Sequence, residues 1–248
     1  MKIVAMIMAY NELKQGNLRR CLDSVSRYCD DICIYDDAST DGSIEVYQEY
    51  GATVLYAAYN DFKNELLHKQ AQLDKIKEMG ADWVWRIDCD EVVEKRGEDG
   101  VLRELCETTE FDSWAFHTVN LWRSPCFFRT DSSYNDVVFN RLWRMPSEGL
   151  QFKVEEGLHL TNYPIGMTDN EGFTDLQLLH YGFASDKALI DKYKMYESHG
   201  QSGWKLSRLV DERGLKVGRS SQEWFDYPLP ELTINDVFKL PIASKARE

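Results

Sequence analysis

Asp88, Cys89 and Asp90 form the triplet with the clearest chemical content. On an extended segment, residues i and i+2 point to one side, so two carboxylates would face the same space. Like charges at that separation repel unless a cation lies between them. Carboxylate oxygens suit hard divalent ions such as Mg²⁺ or Mn²⁺. Such an ion would hold a diphosphate and neutralise charge on a leaving group. Asp36 and Asp37 are a second acidic pair. Ser39, Thr40 and Asp41 already supply helix-capping groups, so the two acids are surplus to capping. A carboxylate there can accept hydrogen bonds from a pyrimidine N–H or from ribose hydroxyls.

The elements that must carry these residues follow from periodicity. Met1–Ala9, Asp31–Tyr35, Ala52–Ala57 and Trp83–Ile87 are short apolar runs that read as buried strands. Between them, Leu18, Cys21, Leu22 and Val25 recur at helical spacing, as do Ile44, Tyr47 and Tyr50. Phe62, Leu66, Leu73, Ile76 and Met79 do the same, with Gly51 and Gly80 as stops. Strands alternating with helices imply an α/β fold with a parallel sheet covered on both faces. Ligands bind beyond the carboxyl ends of such strands. Tyr10-Asn11-Glu12, Asp36-Asp37 and Asp88-Cys89-Asp90 stand at three of those ends. Neither a GxGxxG nor a GxxxxGK[ST] pattern occurs.

The second half is less regular. Glu110–Asn120 and Asn135–Trp143 read as strands, with Val154–Tyr163 as a further candidate. Asp169–Thr174 is polar and reads as a loop, and Asp186–Glu197 as a helix. Residues 1–100 and 101–197 are taken as two halves of one domain, and 198–248 as a C-terminal extension.

Composition excludes several functions. The 248 residues carry 29 basic and 42 acidic side chains, a net charge of −13. That balance argues against phosphate-neutralising nucleic-acid binding and against a polybasic membrane anchor. No run is long enough to span a bilayer, and the apolar start is too short for a signal peptide. The six cysteines form no CxxC pair. They read as reduced thiols in a cytoplasmic protein.

Four segments together resemble the family 2 glycosyltransferases of GT-A fold. They are Met8-Ala9-Tyr10-Asn11-Glu12, Leu22-Asp23-Ser24-Val25, Tyr35 to Ser43, and Asp82 to Glu91, in matching order and spacing. Arg141-Leu142-Trp143-Arg144 and His180-Tyr181-Gly182-Phe183 resemble later motifs of that family. The resemblance implies a single GT-A domain with a C-terminal tail and transfer of a hexose from a UDP-sugar to an acceptor hydroxyl. It implies that Asp37 contacts uracil and that Ala9, Tyr10 and Glu12 line the nucleoside. Asp88 and Asp90 correspond to the DxD motif, with Asp90 the more direct metal ligand. His180 corresponds to a histidine that approaches the metal. An imidazole ligand favours Mn²⁺ over Mg²⁺. Lys69 falls where relatives carry Arg, and would steady the diphosphate without an arginine's bidentate fork. Glu156, in Val154-Glu155-Glu156, stands where relatives carry Val-His-Glu. It is the candidate catalytic base, with Asp169, Glu171 and Asp175 as alternatives.

The implied partners are a nucleotide sugar and a carbohydrate or glycolipid acceptor. For Arg141 and Arg144, salt bridges in an acidic protein rank slightly ahead of substrate contact. His68, His117, His159 and His199 read as structural. Core packing is the ordinary role for Trp114, Trp122 and Phe128, with an acceptor platform as the alternative. Two other functions stay open: a nucleotidyltransferase, and a non-catalytic nucleotide-sugar-binding protein.

Overall fold

The computed structural model describes residues 1–131, 134, 137–146, 150–153, 161–198, 200, 209 and 215–238. Glu156, with Glu155, His159 and His199, lies outside the described residues.

Strands β1 (Ile3–Ala9), β2 (Asp31–Asp36), β3 (Thr53–Tyr56) and β4 (Trp83–Asp88) alternate with helices α1 (Asn17–Val25), α2 (Ser43–Glu49) and α3 (Glu65–Glu78). Further strands are β5 (Glu91–Val93), β6 (Ser113–Asn120), β7 (Phe127–Arg129), β8 (Val138–Arg144), β9 (Glu171–His180) and β10 (Val217–Arg219). The remaining longer helices are α4 (Leu102–Glu107) and α5 (Asp186–Ser198). One sheet has the strand order β3-β2-β1-β4-β8-β6-β9-β5. It is parallel across β3, β2, β1 and β4, and antiparallel from β4 to β8 and from β8 to β6. The expected α/β class is the one observed.

The chain forms two compact units. The first comprises residues 1–117 and 138–176, and holds the parallel strands. β1 is buried because it is flanked on both edges and covered on both faces, which is why it reads as an unbroken apolar run. In α1, Leu18, Cys21, Leu22 and Val25 are wholly buried, the helical spacing seen in the sequence. The inner face of α3 is partly polar. The Gln72 carboxamide donates to the carbonyls of Ile7 and Cys33, each at 2.8 Å, and so fastens the helix across β1 and β2.

One expectation fails here. Asp169–Thr174 was expected to be a loop, yet β9 begins at Glu171. Burial alternates along it, with Gly172, Thr174 and Leu176 turned inward. Glycine is required at 172: a Cβ there would meet the Phe111 and Trp114 rings at 2.7 Å. Neighbouring aromatics fill the space an apolar side chain would otherwise take, which erases the strand's signal in the sequence.

The second unit comprises residues 118–137 and 177–248. β10 pairs antiparallel with β7. Trp122, Phe183, Leu189 and Leu209 form its core. Arg129, almost fully buried, lies over the rings of Trp122 at 4.4 Å and Tyr134 at 4.0 Å. Its charge is met by Asp131 at 2.6 Å. The C-terminal segment 215–238 packs into this unit through Phe225 and Phe238, while its capped helix, Ile234–Val237, buries no residue.

Candidate functional site

At the carboxyl ends of β1 and β2 the backbone is tightly tied. The Asp37 amide donates to the Ala9 carbonyl at 2.9 Å, and the Asn11 amide to Ser39 Oγ at 3.0 Å. Thr40 N–H returns a bond to Asn11 Oδ1 at 2.8 Å. Asn11 and Ala38 both have positive φ, 56° and 66°. Neither is glycine, and such strain persists where surrounding contacts over-determine it, often at ligand sites. Asp41 accepts from Ser43 N–H at the start of α2 and from Leu13 N–H at 2.9 Å. Capping therefore falls to Asp41, while Asp36 accepts from Ser39 N–H at 2.8 Å and from the Tyr47 hydroxyl at 2.7 Å.

Asp37 is almost fully buried. Its Oδ2 accepts from Asn60 Nδ2 at 2.7 Å and its Oδ1 from the Asp61 amide at 2.9 Å. Burial raises its pKa above the ordinary carboxylate value, and the Asp61 N–H only partly offsets this. Each oxygen uses one lone pair on these neutral donors, so acceptor capacity remains for a ligand N–H. Ala9 is buried, Tyr10 is 45% exposed, and Glu12 accepts from Asn17 Nδ2 at 3.0 Å. The Tyr35 and His68 rings stack with centroids 4.3 Å apart.

Asp88 ends β4, but Cys89 and Asp90 lie in a turn before β5. The extended i, i+2 geometry expected of the triplet is therefore absent. Asp88 Oδ1 accepts from Arg86 at 2.7 Å and Oδ2 from Arg141 at 3.2 Å. Arg141 also reaches Glu91 at 2.7 Å, with both side chains buried. Burial opposes ionisation of Asp88, yet Arg86 and Arg141 outweigh it and hold the carboxyl well below the usual range. Asp88 is thus an anion held between two guanidinium groups with its side chain 37% exposed, while Asp90 is half-buried in the turn. Among the described residues, no group of three or more His, Cys, Asp or Glu side chains could hold a metal ion.

Lys69 also differs from expectation. It is 1% exposed, and its ammonium donates to the Thr161 carbonyl at 2.9 Å and pairs with Glu65 at 3.3 Å. Burial, with Arg86 adding to it, lowers its pKa to about 8. Arg141 and Arg144 take the salt-bridge role, Arg144 with Asp112 at 3.2 Å. Of the alternative bases, Glu171 accepts from Asn140 at 2.7 Å, Asp175 pairs with Arg96 at 3.1 Å, and Asp169 is exposed. Trp114 and Trp122 are buried, and Phe128 packs on Trp224. His180 belongs to the second unit, where its Nδ1 lies 2.8 Å from Asn120 Oδ1. Arg86 and Glu91 were missed as organising residues. A lone arginine within the run Trp83–Ile87 was the available signal, because a buried strand position tolerates a charge only if it is paired.

The family model described as glycosyl transferase family 2 matches residues 4–115, from β1 into β6. No curated protein sequence matches the chain. Among solved structures, S. aureus TarS 1-349 in complex with UDP-GlcNAc is similar at 18% identity, over 50% of this chain and 35% of that one, with a TM-score of 0.37. Glucosyl-3-phosphoglycerate synthase from Mycobacterium tuberculosis, in complex with Mn²⁺, UDP and glucosyl-3-phosphoglycerate, is similar at 18% identity. That match covers 48% of this chain and 44% of that one, with a TM-score of 0.35. The mannosyltransferase PcManGT from Pyrobaculum calidifontis, in complex with GDP-Man and Mn²⁺, is similar at 10% identity. It covers 82% of this chain and 65% of that one, with a TM-score of 0.43. The chain thus spans less than two thirds of each. Among the described residues, no helix is long and apolar enough to cross a membrane.

Proposed function

We propose that the chain is a glycosyltransferase that moves a hexose from a UDP-sugar to the hydroxyl of a carbohydrate or glycolipid acceptor. The carrying observation is the gathering of Asp37, strained Asn11 and Ala38, and the Asp88–Asp90 turn at the carboxyl ends of β2, β1 and β4, within the segment that matches the family. Asp37 is the acceptor for the uracil N–H, and the loop through Ala9, Tyr10 and Glu12 lines the nucleoside.

A divalent cation at this edge would take Asp90 as its one protein carboxylate and the donor's own phosphate oxygens as its other anionic ligands. Mg²⁺ and Mn²⁺ sites of this kind keep several non-protein ligands. Asp90 would hold that ion, whose chemistry is to neutralise charge on the departing UDP. Asp88, fixed by Arg86 and Arg141, sets the position of the turn that carries Asp90. Glu156 remains the proposed base that takes the proton from the acceptor hydroxyl.

The test is UDP release from a panel of UDP-hexoses with Mn²⁺, Mg²⁺ or EDTA, on wild type and Asp90→Ala. Turnover of one donor that is lost with EDTA and in the variant is the expected result. Release of pyrophosphate instead would indicate a nucleotidyltransferase. Unchanged turnover in Asp90→Ala would overturn the role given to that carboxylate.

A further inference from the structure

Helix α3 packs against β2 at the edge that carries Asp37. Its Leu66, Leu73 and Ile76 share a buried cluster with Cys33 of β2. The Asp37 amide, bonded to the Ala9 carbonyl, continues the β1–β2 ladder one residue past the strand. Alternate residues of an extended segment share a face, so Cys33, Tyr35 and Asp37 all turn toward α3. There the His68 imidazole lies flat on the Tyr35 ring, with planes 11° from parallel. Asp37, Asp61 and Glu65 are the charged groups that act on it, and burial outweighs them to keep the ring neutral, with one N–H. His68 is 8% exposed, and its Nδ1 is buried without a hydrogen-bond partner. A histidine kept only for packing has its buried nitrogen paired. A half-turn about Cβ–Cγ keeps the stack and exchanges Nδ1 with Cδ2, so either edge of the ring can present that nitrogen.

An ionised Asp37 only accepts, so by itself it selects for an N–H and leaves the atoms beside that N–H unread. Uracil presents a ring N–H flanked by carbonyl oxygens, whereas cytosine has a bare nitrogen at that place with an amino group beside it. We infer that His68 is a specificity-determining residue, whose imidazole N–H donates to a carbonyl oxygen next to the base N–H that Asp37 accepts. Asp37 and His68 then form an acceptor–donor pair that matches the edge of uracil and opposes that of cytosine. A site built on hydrogen bonds rejects a ligand that lacks them, because its own buried polar groups are left unpaired. The inference rests on the proposal that this edge binds a uridine nucleotide.

Calorimetry of UDP and CDP, each with Mn²⁺, tests it on the full chain, as wild type and as His68→Phe. Phenylalanine keeps a flat ring on Tyr35 and removes both nitrogens. Wild type should prefer UDP. His68→Phe should bind UDP about tenfold more weakly, the worth of one hydrogen bond, with CDP unchanged. Unchanged UDP binding in the variant, or an equal loss for both nucleotides, overturns the inference. Should the variant fail to fold, as read by its Tm, ¹⁵N NMR of wild type decides instead. UDP should shift the His68 imidazole nitrogens, and unmoved signals at saturating UDP overturn the inference. No UDP binding by wild type would overturn the uridine reading itself, and this inference with it, whereas UDP binding with the other failures overturns the role of His68 alone.

Discussion

β2 and β4 flank β1 on opposite sides, and each delivers an acid to the carboxyl edge of the sheet. The two acids are held in opposite ways. Asp37 is met by neutral N–H groups from Asn60 and Asp61, and burial pushes its pKa up. Asp88 is met by two guanidinium groups, and its pKa is driven down despite burial. A carboxylate bound by neutral donors keeps lone pairs that a ligand N–H can use. One clamped between two cations is held in its ionised form and serves as a fixed point. Two strands on either side of β1 thus bring to the same edge one carboxylate held by neutral donors and one clamped by cations, and sequence motif alone does not tell them apart.

The largest expected effect comes from breaking the anchor. Arg141→Met leaves Glu91 buried without its guanidinium partner and removes half of the Asp88 clamp. Loss of one partner of a buried pair costs about 3–5 kcal/mol, to be read from urea denaturation. An effect below about 1 kcal/mol would mean that the clamp is dispensable.

Lys69 sharpens the comparison from the cationic side. Its pKa is lowered from 10.5 to about 8. Between those values the unfolded chain retains a proton that the folded chain has released. Stability therefore rises with pH across that window, by up to roughly 3 kcal/mol. Lys69→Met should lack the rise. Denaturation of both proteins at several pH values from 7 to 10.5 reads the difference, and parallel curves would refute the assignment.

Ala38→Gly relieves a left-handed backbone beside Asp37 and should stabilise the fold by about 1 kcal/mol, measured as an increase in Tm. The smallest effect concerns Asp37. Its pKa is raised in the folded state, so the folded chain binds the proton more tightly than the unfolded one. Stability then falls as pH rises from the ordinary carboxylate pKa to the raised value. Relative to Asp37→Asn, wild type should lose Tm between pH 4 and pH 7. A gain over the same interval would contradict the neutral environment assigned to Asp37.

The parallel half of the fold was legible because β1, β2 and β4 are buried on both faces and so appear as unbroken apolar runs. The candidate site was legible where it coincides with strand ends, as at Tyr10, Asp37 and Asp88. What escaped depends on contacts distant in sequence. The clamp on Asp88 needs β8 to lie beside β4, with Trp85 opposite Leu142, before Arg141 can reach it across 53 residues. Lys69 reads as a cation that steadies a diphosphate, and nothing in the sequence shows that the Thr161 carbonyl closes over it. β9 was hidden by Gly172 and Thr174 on its inner face, where the Phe111 and Trp114 rings supply the bulk.

The central claim is that this sheet edge binds a uridine nucleotide through Asp37 and the Asp90 turn. Isothermal calorimetry of UDP with Mn²⁺ tests it most directly, on wild type, Asp37→Asn and Asp90→Asn, each first shown to be folded by its Tm. The account predicts saturable binding by wild type that weakens at least tenfold in both variants, with EDTA abolishing the dependence on Asp90 alone. No binding by wild type, or equal binding by all three proteins, would contradict it.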